Sequence, residues 1–211
     1  MTALGIFGGT FNPVHIGHLR GGIAARDVLG LDHLCFMPAS LPPLKEKPQV
    51  SAEHRHAMLS LAVEGLDGFS VDGRELEREG PSYTVDSLRQ IRDEVGGQVS
   101  LTFIVGSDSL ARLHQWHQWQ EITSIANLAI LVRPDASEAI HPDVLAWISR
   151  HKVEPSAWQG HMAGAICPLD QPQLQVSSSD LRKDIGRGKN VAFLLPPAVM
   201  EYIERHGLYH L

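Results

Sequence analysis

The chain has 211 residues, 43% of them hydrophobic and 20% charged, the proportions of an ordinary globular protein. Its formal net charge of −6 offers no broad surface for a polyanion, so nucleic acid is excluded as an expected partner. No apolar run reaches membrane-spanning length, and the two cysteines are too few for a disulfide framework.

Cys35 and Cys167 both sit in apolar stretches, where small buried thiols are expected. The N-terminus runs straight into a strand with no cationic leader. These features predict a cytoplasmic protein without membrane contact. They predict a single domain over residues 1–211, with 178–211 as its C-terminal helical portion.

Ala3–Phe7 reads as a buried strand. The segment Gly8-Gly9-Thr10-Phe11-Asn12-Pro13-Val14-His15-Ile16-Gly17-His18 follows it and leads into a helix from about Gly17 to Leu29. Leu19, Ile23, Val28 and Leu29 give that helix its periodicity. Glycines let main-chain N–H groups approach an anion, and a helix N-terminus adds positive potential. His15 and His18 add donors that are neutral or cationic near neutral pH. The pattern suits a nucleotide polyphosphate. It lacks the Gly-Lys-Ser/Thr of a P-loop and the glycine spacing of the dinucleotide fingerprint. Two plainer readings compete: a metal shared by the two histidines, which has no third ligand nearby, and a strand–turn–helix corner with incidental imidazoles.

His33–Pro38 reads as a second strand, and Ser40–Val50, with Pro42, Pro43 and Pro48, as a loop able to close over a site at that strand's end. Lys45 on this loop is either a phosphate ligand or a solvated surface lysine. Ser51–Leu66 is predicted to be a helix capped by Ser51. Arg55, within it, and Arg133 are two further cations able to face a site. Glu75–Tyr83 is a charged stretch with a Gly80-Pro81 turn, followed by a helix over Thr84–Val95 that Gly96-Gly97 stops. Thr84 and the N–H groups near Tyr83 and Thr84 open this helix and could receive a carboxylate.

Val99–Val105 and Asn127–Val132 complete the predicted strands. Gly106-Ser107-Asp108 turns from the first of these into a helical segment. Asp108 fits either a ribose-binding acid or a helix N-cap. Trp116 lies among polar residues and offers a stacking surface for a ring, with Trp119 as the alternative. Ser178–His206 reads as two helices around Gly186-Arg187-Gly188. Uniformly apolar strands alternating with helices predict an α/β fold: a doubly wound, Rossmann-like parallel sheet with helices on both faces.

His15-Ile16-Gly17-His18 resembles the HxGH signature of the nucleotidylyltransferase superfamily, and Val176-Ser177-Ser178-Ser179-Asp180-Leu181-Arg182 resembles its second signature, Ile-Ser-Ser-Thr-x-x-Arg. Ser179 stands for the usual threonine and Val176 for isoleucine; the hydroxyl and the branched side chain both survive. The opening block is most similar to that of bacterial nicotinate-nucleotide adenylyltransferases, and the similarity runs to the C-terminus. The resemblance implies adenylyl transfer from ATP to nicotinate mononucleotide, giving deamido-NAD and pyrophosphate. It implies catalytic roles for His15, His18 and Arg182. It further implies an ATP site built from Gly8, Gly9, Thr10, Phe11, His15, His18, Gly106, Asp108, Ser177, Ser178, Ser179 and Arg182. Lys45, Tyr83, Thr84 and Trp116 would receive the acceptor. Mg²⁺ would arrive with ATP, with no dedicated metal site in the chain, and a homo-oligomer is compatible with the family. Other phosphorylated acceptors (nicotinamide mononucleotide, pantetheine phosphate) and a non-catalytic nucleotide sensor are the alternatives.

Overall fold

The computed structural model describes residues 2–40, 48–78, 80–132, 139–170 and 174–210. Six strands form one parallel sheet: β1 (Ala3–Gly9), β2 (His33–Pro38), β3 (Phe69–Val71), β4 (Ser100–Gly106), β5 (Asn127–Leu131) and β6 (Ile166–Leu169). Their order is β3-β2-β1-β4-β5-β6, so the chain winds outward from β1 to one edge and then from β4 to the other. In the register, Phe7 of β1 lies between Phe36 of β2 and Ile104 of β4. Parallel strands need long crossovers, and these are the helices α1 (Ile16–Leu29), α2 (Ala52–Val63), α3 (Thr84–Val95), α4 (Ile122–Ile125) and α5 (Pro142–His151). Two more, α6 (Ser178–Gly186) and α7 (Pro197–Arg205), follow β6.

Side chains alternate across the sheet, so neighbours such as Ile6 and Phe7 enter different cores. Phe7 joins Ala25 and Leu29 of α1, Met58 and Leu59 of α2, Leu181 of α6 and Val199 of α7. Ile6 joins Val85 and Leu88 of α3, Ile125 of α4 and Trp147 of α5. Helices therefore cover both faces, as the uniformly apolar strands predict. Both cysteines are free and buried, and burial pushes each thiol up to about 11, which keeps it protonated.

Several boundaries differ from the sequence expectation. The second helix ends at Val63 rather than Leu66, and the helical segment expected after β4 is a 3₁₀ helix, Ser107–Gln115. The two edge strands β3 and β6 and the helix α5 were not expected. Ser51 does cap α2, accepting from the His54 N–H. The expected closing loop, including Lys45, lies largely outside the described residues, as does Arg133. Among the described residues no helix is long and apolar enough to cross a membrane.

Candidate active site

The strand order reverses between β1 and β4, so the connections after these two strands leave in opposite directions and open a crevice at their C-terminal ends. Gly8 and Gly9 end β1 there and Gly106 ends β4. A cavity of about 130 Å³ occupies the crevice, with Gly8, Gly9 and Thr10 on one side and Tyr83, Thr84 and Trp116 on another. A single water needs roughly 10–15 Å³ by the same measure, so the space accommodates a small ring. Six of the sequence-predicted site residues therefore share one wall-to-wall space. Gly8 owes its lack of a side chain to packing: a Cβ there would stand 2.7 Å from the Phe103 ring.

His15, His18, Ser177, Ser178, Ser179 and Arg182 gather where α1 and α6 begin, whereas Gly106 and Asp108 stand at the end of β4. The His15 and His18 rings stack with centroids 3.7 Å apart. His15 is buried, at 1% exposure, whereas His18 is half-buried. The His15 backbone N–H donates to His18 Nδ1 at 3.3 Å. An accepting Nδ1 leaves the proton of a neutral imidazole on Nε2, so His18 presents a donor from that atom. Gly17 makes the stack possible, because a Cβ at that position would press on the His15 ring at 3.0 Å. Phe11 is buried against His18, with ring centroids 5.0 Å apart, so any part it takes at a nucleotide falls to its backbone.

The two signatures meet directly. Ser178 Oγ donates to the Pro13 carbonyl at 3.0 Å, and Arg182 Nη1 donates to the Asn12 carbonyl at 2.7 Å. Arg182 also reaches Ser179 Oγ at 3.2 Å. Ser177 caps α6 by accepting from the Asp180 N–H. Asp108 is exposed in the first turn of the 3₁₀ helix, just beyond the end of β4.

The structure separates the two tryptophans. Trp116 lines the cavity, while Trp119 packs edge-on against buried Trp147 at 5.1 Å. Arg55 does not face the crevice as a free cation. At 1% exposure, it donates to the carbonyls of Thr10 (2.8 Å), Ala39 (2.7 Å) and Ser40 (2.9 Å), and burial works against its charge.

Sequence reasoning missed Glu75, which lines the cavity at 4% exposure and accepts from Ser87 Oγ at 2.7 Å. Burial raises its pKa, opposed by the Ser87 hydrogen bond and the nearby Arg78 charge. Its place in a charged turn-rich stretch gave no sign of burial. His117 was also missed; it lines the cavity and packs on Tyr83 at 4.6 Å.

A family model described as cytidylyltransferase-like matches residues 6–184. A probable nicotinate-nucleotide adenylyltransferase of Yersinia pestis (strain Pestoides F) is 41% identical over 206 residues, covering 97% of this chain and 94% of its own length. Another, of Pseudomonas putida (strain GB-1), is 44% identical over 208 residues, 98% of this chain and 94% of its own length. The solved structure of Plasmodium falciparum nicotinic acid mononucleotide adenylyltransferase complexed with NaAD is 17% identical, with a TM-score of 0.73 over 99% of this chain and 98% of that one. At that identity the likeness shows a shared fold.

Proposed function

The chain belongs to the cytidylyltransferase-like family, among its nicotinate-nucleotide adenylyltransferases, and from that premise we propose that it transfers the adenylyl group of ATP to nicotinate mononucleotide. The acceptor's phosphate oxygen attacks the α-phosphorus of ATP in line. The bond to the bridging oxygen breaks, and pyrophosphate leaves with the electron pair as deamido-NAD forms. The nucleophile is already an anion, so no general base is needed. The protein must align two anionic reactants and stabilise charge on the phosphoryl oxygens.

The observation that carries this reading is the adjacency of two sites about the end of β1. Gly8, Gly9 and Thr10 form one wall of the ring-sized cavity, and the chain continues from them into the His15–His18 stack at the start of α1. His18, the more accessible imidazole, acts nearest the α-phosphate. His15 supports it, and Arg182 with Ser178 and Ser179 receives the leaving pyrophosphate. Gly106 and Asp108 serve the nucleoside. Among the described residues, no three side chains of ligand type converge on a metal position. Mg²⁺ would enter on the triphosphate, held by phosphate oxygens and water.

In the cavity, Trp116 stacks on the pyridine ring. The backbone of Tyr83 caps α3 without any side-chain cap, leaving first-turn N–H groups to receive a carboxylate. Such donors bind both oxygens of nicotinate, whereas a nicotinamide must turn its NH₂ toward one of them.

The test is pyrophosphate release from ATP and Mg²⁺ with nicotinate mononucleotide, nicotinamide mononucleotide or pantetheine phosphate. Nicotinate mononucleotide should exceed nicotinamide mononucleotide in kcat/KM by on the order of 10²-fold. Comparable values for the two would refute a pocket made only of donors, and no release with any acceptor would refute the activity.

A further inference from the structure

We infer that Tyr209, followed by only two residues in the sequence given, is a positioning residue for adenylyl transfer, acting through Asn12 on the backbone that precedes the histidine pair. The inference rests on the reading of that backbone as the phosphate-facing segment.

Residues 10–13 are gripped by their oxygen atoms from several separate elements. Arg55 of α2 holds the Thr10 carbonyl at 2.8 Å, and Arg182 of α6 holds the Asn12 carbonyl at 2.7 Å. Ser178 holds the Pro13 carbonyl at 3.0 Å. A further oxygen, Asn12 Oδ1 on the side chain, accepts from the Tyr209 hydroxyl at 2.7 Å. Both partners are buried, Asn12 at 6% exposure and Tyr209 at 8%. Water is therefore a poor substitute for either, and an unmatched amide oxygen there is unfavourable.

The backbone on both sides of this hydrogen bond is held away from its preferred conformations. Phe11, next to Asn12, has φ 46°, and Tyr209 itself has φ 64°. Residues other than glycine keep left-handed conformations only where their surroundings over-determine them, and such strain concentrates at functional sites. Burial pushes the Tyr209 phenol up, with the Arg182 and Arg55 guanidinium charges opposing, so the hydroxyl remains a donor. Those two charges identify the setting: the hydroxyl lies near the same two arginines that hold Thr10 and Asn12. Arg182 and Tyr209 grip Asn12 at its carbonyl and its amide. Loosening one end of that residue therefore disturbs the registration of the other.

Tyr209→Phe removes only the hydroxyl and keeps the ring. With ATP, Mg²⁺ and nicotinate mononucleotide, we expect kcat to fall about tenfold and the KM for ATP to rise a few-fold, because small misplacements of a reactant are amplified in rate. The acceptor KM should stay within about twofold, since its cavity touches neither Tyr209 nor Asn12. A purely structural role is separated out by Val144→Ala, a fully buried change in α5 on the other face of the sheet. It should lower Tm at least as much and leave these constants alone. A second reading comes from combining Tyr209→Phe with Arg182→Lys, where coupling through Asn12 requires the kcat effects to be non-additive. Should Tyr209→Phe fail to fold, Asn12→Ala empties the other end of the same hydrogen bond and is combined with Arg182→Lys instead.

Unchanged kcat, equal effects on both KM values, or strict additivity with Arg182→Lys would each overturn the inference. Failure of the parent protein to release pyrophosphate with any acceptor would instead overturn the proposed activity, so the two failures are distinct.

Discussion

Replacing Trp116 with alanine should raise the KM for nicotinate mononucleotide about tenfold while the KM for ATP stays within about twofold. Trp116 lines the cavity, and its ring also meets Phe103 edge-on with centroids 6.4 Å apart. Truncation thus removes a stacking surface from the ligand without opening the deep core, where Phe103 remains. Stacking a nucleic-acid base on an aromatic side chain is worth about 1–3 kcal/mol. A pyridine is smaller than a purine, which favours the lower half of that range, and about 1.4 kcal/mol corresponds to tenfold. Trp119 supplies the contrast within the same segment. It packs against Trp147 and is absent from the cavity wall, so its loss removes an aromatic pair worth about 0.5–1.5 kcal/mol together with the packing around it. Trp119→Ala should therefore lower Tm by several degrees, at about 2–4 °C per kcal/mol for a chain of this size, and leave acceptor binding nearly unchanged. Steady-state kinetics with each substrate varied in turn, and thermal unfolding of the same preparations, measure both. A larger acceptor effect from Trp119→Ala, or an equal rise in both KM values for Trp116→Ala, would refute the assignment.

Three other outcomes are expected. His18→Ala should lower kcat by on the order of 10²-fold in a folded protein, as a donor to transition-state charge contributes several kcal/mol; turnover within a few-fold of the parent removes His18 from the mechanism. Arg55→Met leaves the carbonyls of Thr10, Ala39 and Ser40 without their buried donor. It should cost about 3 kcal/mol, read as a fall in Tm of roughly 6–12 °C, and Arg55→Lys should not restore it because one ammonium cannot span the fork. A Tm unchanged by Arg55→Met would show that these hydrogen bonds contribute no net stability. Glu75→Gln bears on pH: burial raises the Glu75 pKa in the folded state above its ordinary value of 4.5. The neutral acid is thus favoured by folding, and this contribution is full below the unfolded value and lost as pH rises through the raised folded one. The Tm difference between Glu75→Gln and the parent should move in the variant's favour from about pH 4 to about pH 8, and a flat difference would show that Glu75 titrates normally.

What the sequence made legible follows how locally each signal is written. The central strands β1, β2, β4 and β5 are continuous apolar runs because helices cover them on both faces, and each was predicted to within a residue or two. The edge strands escaped for the opposite reason. β3 is three half-buried residues and β6 carries Pro168, so neither has enough apolar length to stand out, and both owe their conformation to a neighbouring strand. The helix α5 did carry a signal, Pro142 in its first turn with Val144 and Trp147 buried at helical spacing, and could have been predicted. Of the residues that read directly as chemistry, Thr84 and Trp116 line one cavity, the histidines stack, and the serine segment with Arg182 meets the chain just before them. Glu75 was not singled out, and Arg55, read as a cation able to face a site, is instead buried on backbone carbonyls. Their burial depends on partners far along the chain, Ser87 for one and the Thr10 carbonyl for the other.

The position of the site follows from the strand order more than from any one residue. At the boundary of β1 and β4 the chain has a strand end whose two sides meet different surroundings. The cavity side of Gly8, Gly9 and Thr10 meets α3 and Trp116, and the continuation through Asn12 and Pro13 meets α1 and α6. A reaction between two anions gains most from fixing their separation and angle, since neither reactant needs activation by a base. One short backbone segment is held at its carbonyls, with a ring-sized cavity before it and stacked imidazoles after it, so under the proposed reaction both reactants would be set against the same strand end. The glycines make this arrangement compact rather than flexible: the spaces their side chains would fill are taken by Phe103 at Gly8 and by His15 at Gly17. Alanine at either position would therefore push a ring out of place and leave the backbone conformation available. It would damage alignment before it damaged the fold.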